Sequence, residues 1–141
     1  MAEINLLKFV SDNIFLVAVA LVSGAMLIWP AVRRGAGGAS VSTLQATLLI
    51  NQQNALVLDV REAAEYEKGH TLNARNIVLA ELEARAAEIE KYKAKPVIIV
   101  CETGNRSGRA AAALRRLGFE QVFTLDGGIG AWKQAGLPLE K

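Results

Sequence analysis

Cysteine and histidine are scarce in this chain of 141 residues, which contains one of each. A single cysteine excludes an intrachain disulfide and leaves no second thiol for dithiol–disulfide exchange. One cysteine and one histidine cannot supply the four ligands of a structural zinc site, so we expect no bound metal and no cofactor. A large excess of charge is also missing: the formal net charge is +2, which argues against a nucleic-acid partner.

Charge is absent altogether from residues 14–32, where Ser23 is the only polar side chain. At about 1.5 Å per residue, a helix of this length crosses a hydrocarbon core of about 30 Å. A buried helix of a soluble domain seldom runs this far without a charge. A cleaved signal peptide needs a basic N-terminal region, whereas residues 1–13 contain one basic residue, Lys8, and two acidic residues, Glu3 and Asp12. We therefore predict a short N-terminal segment (1–13) and one transmembrane helix (14–32).

The residues after this span predict its orientation. Arg33 and Arg34 follow it directly, and the positive-inside rule then places the rest of the chain in the cytoplasm, on a single-pass protein of the inner (cytoplasmic) membrane. The unpaired Cys101 agrees with a reducing compartment. Residues 33–40 are rich in glycine and alanine and are predicted to form a flexible linker, which leaves 41–141 as one globular domain.

Strand and helix patterns alternate along this domain. Short aliphatic runs predict strands at 55–58, 97–100 and 122–125, with a weaker candidate at 76–78. Helical patterns cover 43–51, with Ser42 as its cap, a turn at 61–68, an amphipathic stretch at 79–91, a run ending at Gly118, and 131–134. This alternation predicts an α/β fold with a central parallel sheet flanked by helices.

Cys101 lies where the predicted strand 97–100 ends and a polar loop begins, directly ahead of a helix. Such a loop gathers backbone N–H groups and the positive end of the helix dipole around its centre, so a thiol there is predicted to act as a nucleophile. The alternative is a small buried apolar residue that ends a strand. The flanking Gly104, Asn105, Arg106 and Ser107 favour the nucleophile.

Four motifs in order resemble the rhodanese-like (sulfurtransferase) family over nearly all of residues 41–141. They are Leu-Asp-Val-Arg at 58–61, Glu65-Tyr66 with Gly69-His70, the loop 101–107, and Asp-Gly-Gly-Ile-Gly-Ala-Trp at 126–132. The resemblance implies a compact α/β domain whose cysteine carries sulfur as a persulfide. Membrane-anchored bacterial members of the family look similar. One departure is mild: residues 71–74 read Thr-Leu-Asn-Ala where the family often has Ile-x-Gly-Ala.

The catalytic residue is then Cys101, and its loop binds the transferred sulfur. A persulfide sulfur is negative, so the loop backbone is expected to donate hydrogen bonds to it. Gly104 is expected to permit a positive φ or a close backbone approach, and Ser107 to cap the helix that follows. Arg106 either adds positive charge or braces the loop by pairing with Asp59 or Glu65. The predicted sulfur-binding residues are Glu102, Thr103, Gly104, Asn105, Arg106 and Ser107.

Supporting roles in the fold are predicted for Asp59, Arg61, Glu65 and His70, although His70 is also the only candidate for a Cys/His dyad. The sulfur donor would be thiosulfate or a persulfide, on a small molecule or a protein, and the acceptor a thiol or cyanide. The carboxylate of Glu102 is expected to repel dianionic thiosulfate and thus to favour a persulfide.

Two other functions compete with this membrane-anchored sulfurtransferase. The first is a non-catalytic rhodanese-fold module that recruits a partner, for instance a membrane protein, at the membrane. The second is phosphatase-like chemistry, which on this kind of scaffold resembles a loop with five residues between cysteine and arginine. Four residues separate Cys101 from Arg106 here, and the shorter loop suits a single sulfur atom.

Overall fold

The computed structural model describes residues 5–37, 39–102 and 104–141, with the backbone alone described for 31–37 and Asn105. The chain divides into two compact units, Met1–Arg34 and Gly35–Lys141.

The first unit is helical. Helix α1 (Leu6–Asp12) begins with the Asn5 side chain accepting a hydrogen bond from the Lys8 amide, and α2 (Ile14–Gly37) follows after one residue. Among the described residues no single helix has both the length and the apolarity to cross a membrane. Helix α1 and Ile14–Pro30 meet these criteria of length and composition only as a pair, bent by 90° at their junction.

The second unit alternates strands and helices, as its sequence predicts. Residues Leu79–Glu81 and Ala86–Tyr92 form 3-10 helices on either side of a short α-helix. In chain order the elements are β1 (Ala39–Val41), α3 (Thr43–Gln53), β2 (Leu56–Asp59), α4 (Ala63–Glu67), β3 (His70–Thr71), β4 (Arg75–Asn76), α5 (Leu82–Arg85), β5 (Pro96–Val100), α6 (Asn105–Arg116), β6 (Gln121–Leu125), α7 (Gly128–Gln134) and β7 (Leu139–Glu140).

Five of these strands form one sheet in the order β1-β6-β5-β2-β4, and every pair in it is parallel. The remaining two strands, β3 and β7, form a separate antiparallel pair. In the large sheet Asp59 is in register with Val100, so β2 and β5 end at the same edge. The predicted central parallel sheet flanked by helices is confirmed. Cys101, which follows Val100, therefore lies at the carboxyl edge of the sheet, where parallel α/β folds bind ligands.

Strand β5 sits at the centre of the sheet because it is apolar on both faces. Val97 and Ile99 pack on one side with α5 and α6, whereas Ile98 and Val100 pack on the other side with α3 and α7. All four side chains are fully buried. Each such burial contributes about 1.5–3 kcal/mol to folding. The strand that directly precedes Cys101 is therefore firmly held.

The structure differs from the predicted flexible linker at 33–40. Helix α2 continues to Gly37, and β1 begins at Ala39 and pairs with β6. A strand of only three residues, two of them alanine and serine, has little intrinsic β preference and forms because β6 offers an edge to pair with. The cap at Ser42 is confirmed: its hydroxyl accepts from the Gln45 amide and its own amide donates to the Gln45 side chain.

The amphipathic helix predicted over 79–91 is helical throughout, but it is not one continuous α-helix. The segment consists of two 3-10 stretches around the four-residue α5. Leu82 and Ile89 are nevertheless both fully buried. The apolar spacing fixed which side chains face the sheet, but 3-10 and α-helical turns both satisfy that spacing, so it could not specify the hydrogen bonding.

Candidate active site

Cys101 is the first residue after β5, and its side chain is buried. The backbone N–H of Gly104 points at its sulfur, with an N···Sγ distance of 2.8 Å. Gly104 has φ +99° and is the residue from which α6 starts, so the predicted positive φ is confirmed. A hydrogen-bond donor aimed at sulfur stabilises negative charge on a thiolate or persulfide.

The start of α6 adds further donors to this loop. The first N–H groups of an α-helix have no acceptor within the helix, and the helix dipole places partial positive charge around them. Asn105 and Arg106 occupy this first turn. Thr103, which the sequence assigns to sulfur binding, lies outside the described residues, as does the side chain of Asn105.

Ser107 does not cap α6, contrary to the prediction. The helix begins at Asn105, three residues earlier than a cap at Ser107 requires, and Gly104 occupies the capping position. The Ser107 hydroxyl is fully buried and donates to the Ile99 carbonyl at 3.5 Å. Its side chain therefore ties α6 to β5, and only its backbone N–H belongs to the first helical turn.

Arg106 pairs with Glu65, one of the two partners that the sequence left open. Two hydrogen bonds of 2.9 and 3.0 Å join the guanidinium to both carboxylate oxygens, which fixes the start of α6 against α4. The hydrogen bond from Arg106 lowers the pKa of Glu65 from its ordinary value of 4.5 to about 2. Conversely, the Glu65 hydrogen bond, together with negative charge at Cys101, raises the pKa of Arg106.

This pair gives Glu65 a pH-dependent contribution to stability. Because the folded-state pKa lies below the ordinary value, the contribution is complete above about pH 4.5 and is lost as the pH falls through about 2. We expect Glu65→Gln to lower the free energy of unfolding at neutral pH, and the difference from wild type to shrink on acidification. Urea unfolding of the full chain at several pH values between neutral and 2.5 measures this.

Glu83→Gln is the matched control, because Glu83 pairs with Arg116 while both side chains are largely exposed. Exposed pairs contribute little to stability. A Glu65→Gln difference that stays constant from neutral pH to 2.5, as a pH-independent packing defect would produce, contradicts the assignment.

Asp59 and Arg61 form a buried ion pair at the end of β2. The Arg61 backbone N–H and Nε each lie 3.0 Å from Oδ1 of Asp59, and Nη2 lies 2.8 Å from Oδ2. Burial lowers the pKa of Arg61, but the hydrogen bond and the charge of Asp59 outweigh it and the net shift is upward. The guanidinium also donates to the Gly69 carbonyl at 2.8 Å, so it joins β2 to the turn before β3.

Glu102 faces Arg61 across the edge of the sheet. The distance from Nη1 of Arg61 to Oε2 of Glu102 is 3.5 Å, and about half of the Glu102 side chain is exposed. Arg61 therefore offsets part of the negative charge that stands beside the nucleophile.

His70 lies in the small antiparallel sheet, and each of its ring nitrogens lies near an oxygen atom of another residue. Its Nδ1 lies 2.9 Å from the Tyr66 carbonyl oxygen, which can only accept, so Nδ1 carries the proton. Its Nε2 lies 3.4 Å from Oε1 of Glu140, and its ring stacks on that of Tyr66. These contacts fit the supporting role and leave neither nitrogen directed at Cys101.

The sequence analysis missed Gly128, which packs against the backbone of Cys101 and Glu102. The Ile129 amide donates to the Cys101 carbonyl at 2.8 Å. A Cβ atom on Gly128 would overlap that carbonyl oxygen and would lie 2.6 Å from the carbonyl oxygen of Glu102. Only glycine allows α7 to approach this closely. The consecutive Gly127 and Gly128 after β6 are the signal that could have revealed this contact.

The chain belongs to the rhodanese-like domain family, whose profile matches residues 42–135. The match contains both partners of every contact given above for the Cys101 loop and its supports, whereas Glu140, which lies near His70, falls outside it.

Similar proteins come from several bacteria and an archaeon. Uncharacterized protein YibN of Escherichia coli K12 is 41 % identical over 96 residues, which are 67 % of each chain. Thiosulfate sulfurtransferase GlpE of Coxiella burnetii is 33 % identical over 93 residues, covering 66 % of this chain and 85 % of the relative. The crystal structure of a rhodanese-related protein from Thermoplasma volcanium superposes with a TM-score of 0.63 at 33 % identity, covering 73 % of this chain and 98 % of that one.

Proposed function

We propose that the protein is a sulfurtransferase that carries sulfane sulfur on Cys101. The observation that carries the proposal is the Gly104 N–H, which points at the Cys101 sulfur. The loop that holds both residues is fixed by the end of β5 on one side and by the start of α6 on the other. A thiol that only filled space would need no donor directed at its sulfur. Thiosulfate sulfurtransferase is the printed activity of the GlpE relative, which supports the same class of reaction.

The reaction has two displacement steps. The Cys101 thiolate attacks the outer sulfur of the donor, forming an S–S bond to Cys101 while the donor leaves with the electron pair, as sulfite if the donor is thiosulfate. An acceptor thiolate or cyanide then attacks that outer sulfur, and Cys101 leaves as a thiolate. In the persulfide state the outer sulfur is negative, and the donors at Gly104 and in the first turn of α6 stabilise it.

Intact-mass measurement tests this proposal on the full chain and on its Cys101→Ser variant. We expect thiosulfate or a small persulfide to add one sulfur atom to the wild type alone, and cyanide to remove it with release of thiocyanate. A wild-type chain that gains no sulfur from any donor overturns the proposal and favours the non-catalytic binding module instead.

Membrane anchoring of this domain is a second part of the proposal. Large apolar side chains along α2 are exposed, among them Leu21, Met26 and Leu27, which are 69–81 % accessible. Contiguous exposed apolar surface of this kind is typical of membrane or protein contacts. With Arg33 and Arg34 after residues 14–32, the domain would face the cytoplasm. Recovery of the full chain in alkali-washed membranes supports the anchor, and its release by alkali contradicts it.

A further inference from the structure

A groove of about 500 Å³ lies alongside α6, the helix that follows the Cys101 loop. One wall carries Arg106, Arg109 and Arg116 of α6, and the other includes the apolar side chains of Leu79 and Ala80 together with Glu83. Arg106 belongs both to the groove and to the first turn after the Cys101 loop. The volume falls in the range of small-molecule sites, which typically combine apolar walls with a few charged groups.

The ion pairs of the groove leave one arginine uncompensated. Arg106 pairs with Glu65 at 2.9 Å, and Arg116 pairs with Glu83 at 3.0 Å. Glu62 also lines the groove, and its charge acts on Arg106. Within the described part of the chain, Arg109 forms no ion pair and is exposed. Its planar guanidinium is therefore available to bind a carboxylate through two parallel hydrogen bonds.

The spacing on α6 relates this cation to the sulfur site. Arg106 and Arg109 are three residues apart, so they lie on the same face of the helix, less than one turn of about 5.4 Å from each other. Arg106 lies in the first turn of α6, and Gly104, the residue just before that helix, donates to the Cys101 sulfur. A molecule whose anionic group binds Arg109 can thus extend past Arg106 towards Cys101 if only a few bonds separate its two ends.

We propose that this groove binds the acceptor, a small thiol with a carboxylate a few bonds from its sulfur, and that Arg109 binds that carboxylate. The inference rests on the proposed sulfurtransferase function. The acceptor thiolate attacks the outer sulfur of the Cys101 persulfide, the bond from that sulfur to Sγ breaks, and Cys101 leaves as a thiolate. The product is a persulfide of the acceptor, and the step consumes no oxidant or reductant.

The test compares two acceptors that differ only in charge, 3-mercaptopropionate and its amide. The full chain is first loaded with sulfane sulfur, the donor is removed, and discharge of Cys101 by each thiol is followed by intact mass. The ratio of the acid rate to the amide rate is then measured in the wild type, in Arg109→Gln and in Arg85→Gln. Differences in intrinsic thiol reactivity are the same for every variant and cancel when the ratios are compared.

We expect Arg109→Gln to lower the acid-to-amide ratio about fivefold, the effect of losing one partly exposed charge-assisted contact. Arg85→Gln removes an exposed guanidinium that pairs with Glu81 and Glu88 and does not line the groove, so its ratio should equal that of the wild type. An unchanged ratio in Arg109→Gln, or an equal fall in Arg85→Gln, overturns the proposal.

A second measurement separates the groove from the chemistry. 3-(Methylthio)propionate carries the carboxylate but cannot accept sulfur, so its binding, followed by NMR titration, requires no persulfide. Binding that Arg109→Gln weakens and Arg85→Gln does not, on a chain that never loads sulfur, would support the groove while the sulfurtransferase function fails. Loading of Cys101 with sulfur, without Arg109-dependent binding, would support the sulfurtransferase function and overturn the proposal for the groove.

Discussion

Replacing Gly128 by alanine is expected to slow sulfur transfer by about a hundredfold, the effect of displacing a reactive group by about 1 Å. The added Cβ would overlap the Cys101 carbonyl oxygen and press on the backbone of Glu102, and neither is a flexible side chain that can rotate away. The positive φ of 60° at Gly128 adds strain for any L-residue. Rates of persulfide formation and of its discharge by cyanide, measured on the full chain, check this expectation.

Gly130→Ala is the matched control. Gly130 lies two residues further along the same helix, where a Cβ would be 3.8 Å from the Glu102 carbonyl oxygen, an ordinary contact. Alanine is also favoured over glycine inside a helix by about 1 kcal/mol. The control should transfer sulfur like the wild type. If Gly128→Ala does so too, with an unchanged circular dichroism spectrum, the close approach of α7 does not position the Cys101 loop.

Replacing Asp59 by asparagine is expected to lower the free energy of unfolding by about 3 kcal/mol, in line with other buried ion pairs that lose one partner. Asp59 is fully buried and Arg61 is 2 % exposed, so the guanidinium would remain in the interior with only the half-exposed Glu102, 3.5 Å away, as a countercharge. Urea unfolding of the full chain, followed by circular dichroism, measures the loss.

The comparison for this change is Glu88→Gln, which breaks the 2.7 Å pair between Arg85 and Glu88. Both of these side chains are well exposed, and such pairs contribute less than about 1 kcal/mol. Equal losses in the two variants would mean that burial of the Asp59–Arg61 pair is not what makes it stabilising.

Strands β2, β5 and β6 could be predicted from the sequence because each one carries its own signal. Residues 97–100 are aliphatic throughout, and the structure places them in the buried centre of the sheet as β5. Strand β1 has no such signal, since Ala39 and Ser40 acquire their conformation from Phe123 and Thr124, which are distant in sequence. Strands β3 and β7 are two residues each and depend on one another in the same way.

The loop around Cys101 could be located from the sequence, but its supports could not. A strand, a polar loop and a helix follow one another along the chain, so their order already brings Cys101 near the start of α6. The contacts of Arg106 with Glu65 and of Arg61 with Glu102 each join residues that are 41 positions apart. Residue type limits the possible partners of each arginine to a few acidic residues. Only the packed fold determines which of these residues the arginine contacts.

The pairing of β1 with β6 also limits how early the domain can fold while the chain is being synthesised. Ala39 leaves the ribosome early, but its partner Phe123 lies close to the last helix of the domain. Until β6 has emerged, β1 has no neighbour in the sheet and β5, the central strand, has one unpaired edge. Sheets that depend on such late, distant pairings fold slowly and expose aggregation-prone edges meanwhile. A nascent chain of this protein therefore exposes the unpaired edge of β5 over the interval in which α6 has emerged and β6 has not.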